Sequence, residues 1–325
     1  MKLGVSHQAP DMLTPGRLAY LRQMGVQQVE VRAPSDYCTY DNLVRIREMV
    51  EAAGLGLFEV MRSDRYNSEA IALGLPGRDA EMERLKQFLR DLGRAGIDTT
   101  TYAWHTGGVY ATGSTTTRGC RTRLFELDEA LARPNAYDRE YSDDELWENY
   151  ERFIREILPV AEEAGVRLQL HPNDPPVTHQ GVARIFRSTD AFARAMELAG
   201  HSDHSGILFC VGTWGQMTGE DGHGEDVAAA IRELGSRGHI YQVHFRNVSS
   251  TLPDFHETFP EDGYLNMYSI MKALAEVGFG GMVVPDHVPV CEDSDAAPRT
   301  GEALVFGYIR ALMQAAETEV AAAQA

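Results

Sequence analysis

The sequence predicts an α/β fold of one kind: a single-domain (β/α)8 TIM barrel over residues 1–325, with a long insertion after the fourth strand. Three observations carry that expectation. Strand-like apolar runs alternate with amphipathic helical runs along the chain, the pattern of a parallel sheet. There are eight such pairs, and a chain of 325 residues suits one closed barrel, which runs to about 250 residues before insertions. In the second half, four apolar runs end on His171, Cys210, His244 and Asp286, spaced 39, 34 and 42 residues apart. A strand, a helix and their loops need more than about 30 residues, so these residues recur once per βα unit. The C-terminal strand ends of such a barrel converge on one mouth, where active sites lie.

Taken in order, KLGVSH (2–7) is the first strand, and a helix over 14–24 follows with Pro15 at its first position. VQQVEVRA (26–33) is the second strand. Asp41 is placed to cap the next helix, which stops at Gly54. LGLFEVMR (55–62) is the third strand, a helix over 79–94 stops at Gly96, and TTTYAWH (99–105) is the fourth. Residues 106–141, rich in Gly, Thr, Ser and Arg, lack periodicity. A long connection inside a compact domain is usually functional, so this one is expected to form a lid over the mouth, with a floppy surface insertion as the alternative. The next helix opens on the capping box Ser142–Glu145 and ends at Gly165. VRLQLHP, SGILFCVG, HIYQVHFRNV and GMVVPDH are strands five to eight. Helices are expected over 189–199, 225–236, 264–277 and 300–316, with 318–325 fraying as an Ala-rich tail.

Composition narrows the function. Hydrophobic content of 43% and charged content of 24% are those of an ordinary globular protein. A formal net charge of −18 disfavours non-specific binding to nucleic acid or anionic membrane. It also means that an anionic substrate needs local positive charge, from a metal or from arginines. The four cysteines form no CxxC pair and suggest no disulfide framework. No signal-like apolar start and no run of 18 apolar residues is present, so a cytoplasmic protein is expected. The chain has no GxGxxG after its first strand and no GxxxxGK[ST], which disfavours a nucleotide-binding doubly wound sheet.

Singly, a strand-end Cys is usually a small buried hydrophobe, and a strand-end Asp usually caps a helix. Together, the four point to a metal site. Two imidazoles, a thiolate and a carboxylate suit Fe2+ or Zn2+, and the hard carboxylate tolerates Mn2+. His287 adjoins Asp286 and cannot point the same way from an extended strand. It is the candidate general acid or base, its ordinary pKa lying near neutrality. Arg246, two residues beyond His244, is the candidate for gripping a substrate carboxylate. Asn173 and Asp174, in the stiff turn before Pro175–Pro176, together with Asn247 and the strand-end His105, are candidate substrate contacts. His7, which ends strand one, rests on position alone.

These segments resemble the mannonate dehydratase family of the xylose-isomerase-like TIM-barrel superfamily. The match runs over residues 143–288 through Trp147, Tyr150 and Phe153, then LQLHPNDPP, LFCVGTWG, VHFRNV, FHETFPEDGYLNM and PDH. The resemblance implies a metal, usually Mn2+, on His171, Cys210, His244 and Asp286, with His287 in catalysis. It implies a carbon–oxygen lyase taking D-mannonate to 2-keto-3-deoxy-D-gluconate and water. Three departures stand out: Asn173 where the family has Asp, Val288 where it has Gly, and no tyrosine in SDAAPRTGEALVFGY before Tyr308. The alternatives kept are a dehydratase of a different sugar acid, an isomerase or epimerase of a free sugar, and a closed structural zinc protein. The expected partner is a small sugar acid or sugar; homo-oligomerisation is left open.

Overall fold

Strands and helices alternate in the computed structural model, which describes residues 1–218, 224–291 and 300–324. The first half runs β1 (Lys2–Gln8), α1 (Pro15–Gln23), β2 (Gln28–Ala33), α2 (Tyr40–Ala52), β3 (Gly56–Arg62), α3 (Glu69–Ala72), α4 (Arg78–Arg94) and β4 (Thr99–Ala103). A hairpin follows, β5 (Gly113–Thr117) and β6 (Cys120–Glu126), with the short α5 (Leu127–Leu131). The barrel resumes through α6 (Asp143–Ala164), β7 (Arg167–His171), α7 (Thr189–Leu198), β8 (Ser205–Cys210), α8 (Val211–Gln216), α9 (Val227–Gly235) and β9 (Ile240–His244). It ends with β10 (Asn247–Val248), β11 (Asp254–Thr258), α10 (Met267–Glu276), β12 (Met282–Val284) and α11 (Thr300–Gln324).

The eight-stranded sheet has the order β3-β2-β1-β12-β9-β8-β7-β4, and every ladder in it is parallel. This is the expected TIM barrel, and each of its eight strands overlaps an expected one. Among the described residues no ladder joins β3 to β4. Their seam is held by Ala103 N–H donating to the Tyr66 carbonyl (2.8 Å) and by the Thr101 hydroxyl against both oxygens of Glu59 (3.0 and 2.8 Å).

Period two along each strand stacks the inward side chains in layers. The lower layer is polar: Glu30, Glu59, Thr101, Gln169 and Gln242, all buried. Gln169 Nε2 donates to Glu59 (3.1 Å), Thr101 (2.9 Å) and Gln242 Oε1 (2.7 Å), and Gln242 Nε2 donates to Glu30 Oε2 (2.8 Å). Two residues further along the same strands stand Arg32, Met61, His171 and His244, which form the rim of the mouth.

Three expectations are corrected. Asp41 does not cap α2: Thr39 holds the extended cap position, and Asp41 lies in the first turn, where its charge favours the helix N-terminus. The tail is helical to Gln324 rather than frayed over 318–324, its alanines being strong helix formers. Glu319 accepts from Lys272 (2.5 Å) and Tyr268, and Glu317 from the N-terminal ammonium (3.2 Å). The stretch 106–141 is not aperiodic: β5 and β6 pair in register from Gly113↔Leu124 to Thr117↔Cys120, and β6 pairs antiparallel with β11. The turn between them is Arg118–Gly119, both at positive φ, the two-residue hairpin geometry. Phe125 stacks on Phe255 at 5.5 Å under this small sheet. Most of the loop compared above for its missing tyrosine, residues 292–299, lies outside the described residues.

Candidate active site

Four strand ends bring His171, Cys210, His244 and Asp286 together. The ligand atoms of His171, Cys210 and His244 lie within 4.8 Å of one another, as do those of His7, His244 and Asp286. Asp286 Oδ2 is 3.9 Å from Cys210 Sγ and 3.5 Å from His244 Nδ1, tying the two groups into one. His171 Nδ1 lies 2.7 Å from the Pro172 carbonyl, to which it donates; Nε2 is left as its lone-pair nitrogen. Glu30 Oε2 faces His244 Nε2 at 3.8 Å, on the side away from Asp286.

The charges explain what this cluster can hold. Burial pushes the Cys210 thiol up, but the Arg246 guanidinium beside it and the imidazoles of His171 and His244 outweigh that and favour the thiolate. Burial likewise works against ionising Asp286, and His287, His244 and Arg246 overcome it. Both ring nitrogens of His244, Nε2 of His7 and Oδ1 of Asp286 are buried without hydrogen-bond partners. Buried polar atoms are rarely left so. A thiolate, a carboxylate and imidazole nitrogens gathered in two groups that share His244 form a donor set that fits a divalent ion once His244 gives up its proton.

His287 also enters the mouth, although it follows Asp286 directly. β12 stops at Val284, and His287 sits at φ +43, a left-handed conformation that turns its ring inward. Its Nδ1 lies 2.5 Å from Glu257 Oε1, and Nε2 lies 3.6 Å from Asp286 Oδ1. The Tyr110 hydroxyl is within hydrogen-bond reach of the ring, 2.9 Å from Nδ1. His105 lines the opposite wall, with Nε2 3.2 Å from the Tyr66 hydroxyl; burial drives its pKa down to about 3 and keeps it neutral.

Three expected substrate contacts are engaged elsewhere. Arg246 is 1% exposed, and its fork is spent on the protein: Nη2 donates to Asp174 (2.6 Å) and Thr213 (2.9 Å), and Nη1 to Glu257 (3.1 Å). Its Nε lies 2.8 Å from Asp286 Oδ2. It positions three carboxylates from a place almost closed to solvent. Asn173 is fully buried, donating to the Trp104 carbonyl (3.0 Å) and accepting from Phe186 N–H (2.7 Å). Asn247 is fully buried too, binding the Pro260 and Leu265 carbonyls. Asp174 does line the cavity, but Arg123 and Arg246 grip it and, against its burial, hold its carboxyl well below the usual range.

The sequence reading left out several residues. Arg32, Tyr66 and Tyr110 line the mouth with His7, in a cavity of about 250 Å³ that also takes in His105, His171, His244, Asp286 and His287. Larger clefts, of about 490 Å³ at the other end of the barrel and about 670 Å³ between α1 and α2, gather no comparable cluster of titratable groups. Chemistry rather than size picks the site. The available signals were two: the inward charge pair Glu30–Arg32, two apart on one strand, and the period-two alternation of FHETF, which puts Glu257 on β11.

Comparison with known proteins points the same way. The D-mannonate dehydratase (UxuA) family model matches residues 11–122 and 119–322. A mannonate dehydratase of Streptococcus suis (strain 05ZYH33) is 32% identical over 276 residues, 76% of this chain and 73% of that protein. Mannonate dehydratase 2 of Halalkalibacterium halodurans is 29% identical over 306 residues, 83% of this chain and 86% of that one. The crystal structure of mannonate dehydratase from Streptococcus suis serotype2 matches with a TM-score of 0.84 at 27% identity, over 98% of this chain and 95% of that chain. A D-psicose 3-epimerase from Clostridium cellulolyticum H10, at 14% identity and a TM-score of 0.66 over 98% and 99% of the two chains, shares the fold alone.

Proposed function

This chain belongs to the D-mannonate dehydratase family, and from that premise we propose that it converts D-mannonate to 2-keto-3-deoxy-D-gluconate and water, with one Mn2+ held by His171, Cys210, His244 and Asp286. As a member of that family it is a hydro-lyase acting in sugar-acid metabolism. No described helix is long and apolar enough to cross a membrane. The observation that carries the metal assignment is the set of buried, unpartnered atoms on His244 and Asp286 beside the Cys210 thiolate. Mn2+ is preferred to Zn2+ because four protein ligands already fill a tetrahedral shell and a chelated sugar acid requires a fifth and sixth position; Fe2+, which also takes six ligands, is the alternative.

The bound ion supplies Lewis acidity, drawing charge onto the substrate's carboxylate and a neighbouring hydroxyl. The residues do the rest. His287, held at Nδ1 by Glu257, presents its ring to the cavity and carries the proton that is lost beside the carboxylate or gained by the departing hydroxide. The Tyr110 hydroxyl, against that ring, connects it to the hairpin side of the mouth. Arg246 keeps Asp286, Asp174 and Glu257 ionised and in place, as a positioning residue. His105 and Tyr66 close the opposite wall.

The test is incubation of the Mn2+-loaded protein with a panel of aldonic acids, assayed for a 2-keto-3-deoxy acid. D-mannonate should be the best substrate of the panel, and Cys210→Ala should lose most of the bound metal by elemental analysis. Turnover of neutral ketoses or aldoses in place of every aldonate would overturn the reading.

A further inference from the structure

A sugar acid brings a negative charge into a molecule of net charge −18, so something at the mouth must receive it. Four arginines stand near the mouth, and three are already engaged. Arg246 is spent on Asp174, Glu257 and Thr213. Arg123 donates to Asp174 (2.8 Å) and to the Tyr110 carbonyl (3.1 Å), with Nε 3.1 Å from Glu257. Arg184 donates to the carbonyls of Thr106 (2.7 Å) and Gly107. Arg32 differs. Its Nε donates to Glu30 Oε1 at 2.9 Å, and among the described residues neither of its Nη nitrogens has a hydrogen-bond partner. Its side chain is 28% exposed and lines the cavity with Tyr66, His105 and His7.

From this we infer that Arg32 is a second anchor for the substrate's carboxylate, beside the ion, and sharpens the site's preference for sugar acids over neutral sugars. The inference rests on the sugar-acid reading above and names a group that reinforces it. The local structure supports it. Glu30 and Arg32 are two apart on β2, so both face the barrel interior, Glu30 a layer below. Glu30 is wholly buried and is itself fixed by Gln242 Nε2 (2.8 Å) and the His7 amide (3.2 Å). A guanidinium tethered at Nε by a fixed carboxylate leaves its Nη pair as a pre-oriented two-pronged donor, the geometry that matches a carboxylate. Because the fork is held before the ligand arrives, little rotamer entropy is lost on binding. Proton loss beside the carboxylate adds negative charge to that end of the substrate, so the grip strengthens as the reaction proceeds.

The test compares Arg32→Gln and Arg32→Lys with the wild type, all loaded with Mn2+. Turnover of D-mannonate is measured, and calorimetric binding of D-mannonate is set against binding of neutral D-mannitol. Arg32→Gln should keep its metal, lose about 10²–10³-fold in kcat/KM and lose much, though not all, of the wild type's preference for the acid over the alditol, since the ion still meets the carboxylate. Arg32→Lys, with charge but no fork, should recover part of the loss. If the wild type turns over D-mannonate and Arg32→Gln matches it within threefold, the inference falls and the family reading stands. If no aldonate turns over, the substrate reading falls, and calorimetry alone judges Arg32: weaker D-mannonate binding in the variant supports it, equal binding overturns it. Should Arg32→Gln fail to melt cooperatively, Arg32→Lys decides: a drop in affinity of tenfold or more supports the anchor, and unchanged affinity overturns it.

Discussion

Asp286 and His287 are neighbours in the chain with different assigned tasks, and single substitutions separate them. His287→Asn keeps a polar side chain but no group that titrates near neutrality. Metal content should stay at the wild-type level while kcat falls about 10²–10⁴-fold. Asp286→Asn removes an anionic ligand and should instead empty the site, read by metal analysis after dialysis. Loss of metal from His287→Asn would make His287 a ligand. A second residue-scale prediction concerns Glu59. Burial, then the nearby charge of Glu30, raises its pKa to about 8, so it is a neutral acid in the barrel at pH 7. In the unfolded chain it ionises at its ordinary, lower pKa. The folded state therefore holds the extra proton between those values, and stability falls as pH rises through that window, by on the order of several kcal/mol. Glu59→Gln mimics the protonated acid, so its melting temperature should exceed the wild type's at pH 8 and converge with it near pH 4. Equal melting curves at both pH values would contradict this. Residue by residue, position was legible in the sequence and partnership was not. The four strand-end ligand types stood out because they recur once per unit. Arg246, Asn173 and Asn247 were placed at the mouth without sight of Asp174, Trp104 or Pro260, which take up their donors.

At the scale of elements, the barrel strands and most helices were readable because periodicity and caps agree: Thr14 caps α1, Ser142 caps α6, and Gly165 ends α6 in the left-handed conformation. The β5–β6 hairpin was not, because alternation is obscured when threonines and arginines fill both faces. Its partner, β11, lies more than a hundred residues away in sequence. Docked, the hairpin brings Cys120 Sγ to 3.2 Å from Cys291 Sγ, while Arg121 and Val290 exchange main-chain hydrogen bonds (3.0 and 2.9 Å). A disulfide needs the sulfurs only about an ångström closer. Mild oxidation with diamide should therefore join Cys120 to Cys291, seen by mass spectrometry as a linked tryptic pair. Cys120→Ser should abolish that pair. Failure of the wild type to cross-link while both thiols react with iodoacetamide would mean that the hairpin stands away from the mouth in solution.

For the whole molecule, eight βα units made the closed architecture predictable, but nothing in the sequence marks where the closure is incomplete. Among the described residues the barrel has seven ladders for its eight strands, and the missing one falls between β3 and β4. There side chains substitute for backbone pairing: Glu59 with Thr101 inside, and above them Tyr66 with His105 (3.2 Å) and Asn67 with the His105 carbonyl (2.8 Å). Amides of β3 and β4 should consequently exchange with deuterium sooner than those of β7 to β9, by a margin that widens as pH approaches 8 at matched intrinsic rates. Glu59→Gln should cancel the pH-dependent part of that difference; a uniform exchange pattern around all eight strands would rule the effect out. The upper latches of this seam also wall the cavity into which Arg32 reaches. Loosening of the seam would therefore loosen the wall of the cavity, through the one phenol and imidazole that the two share.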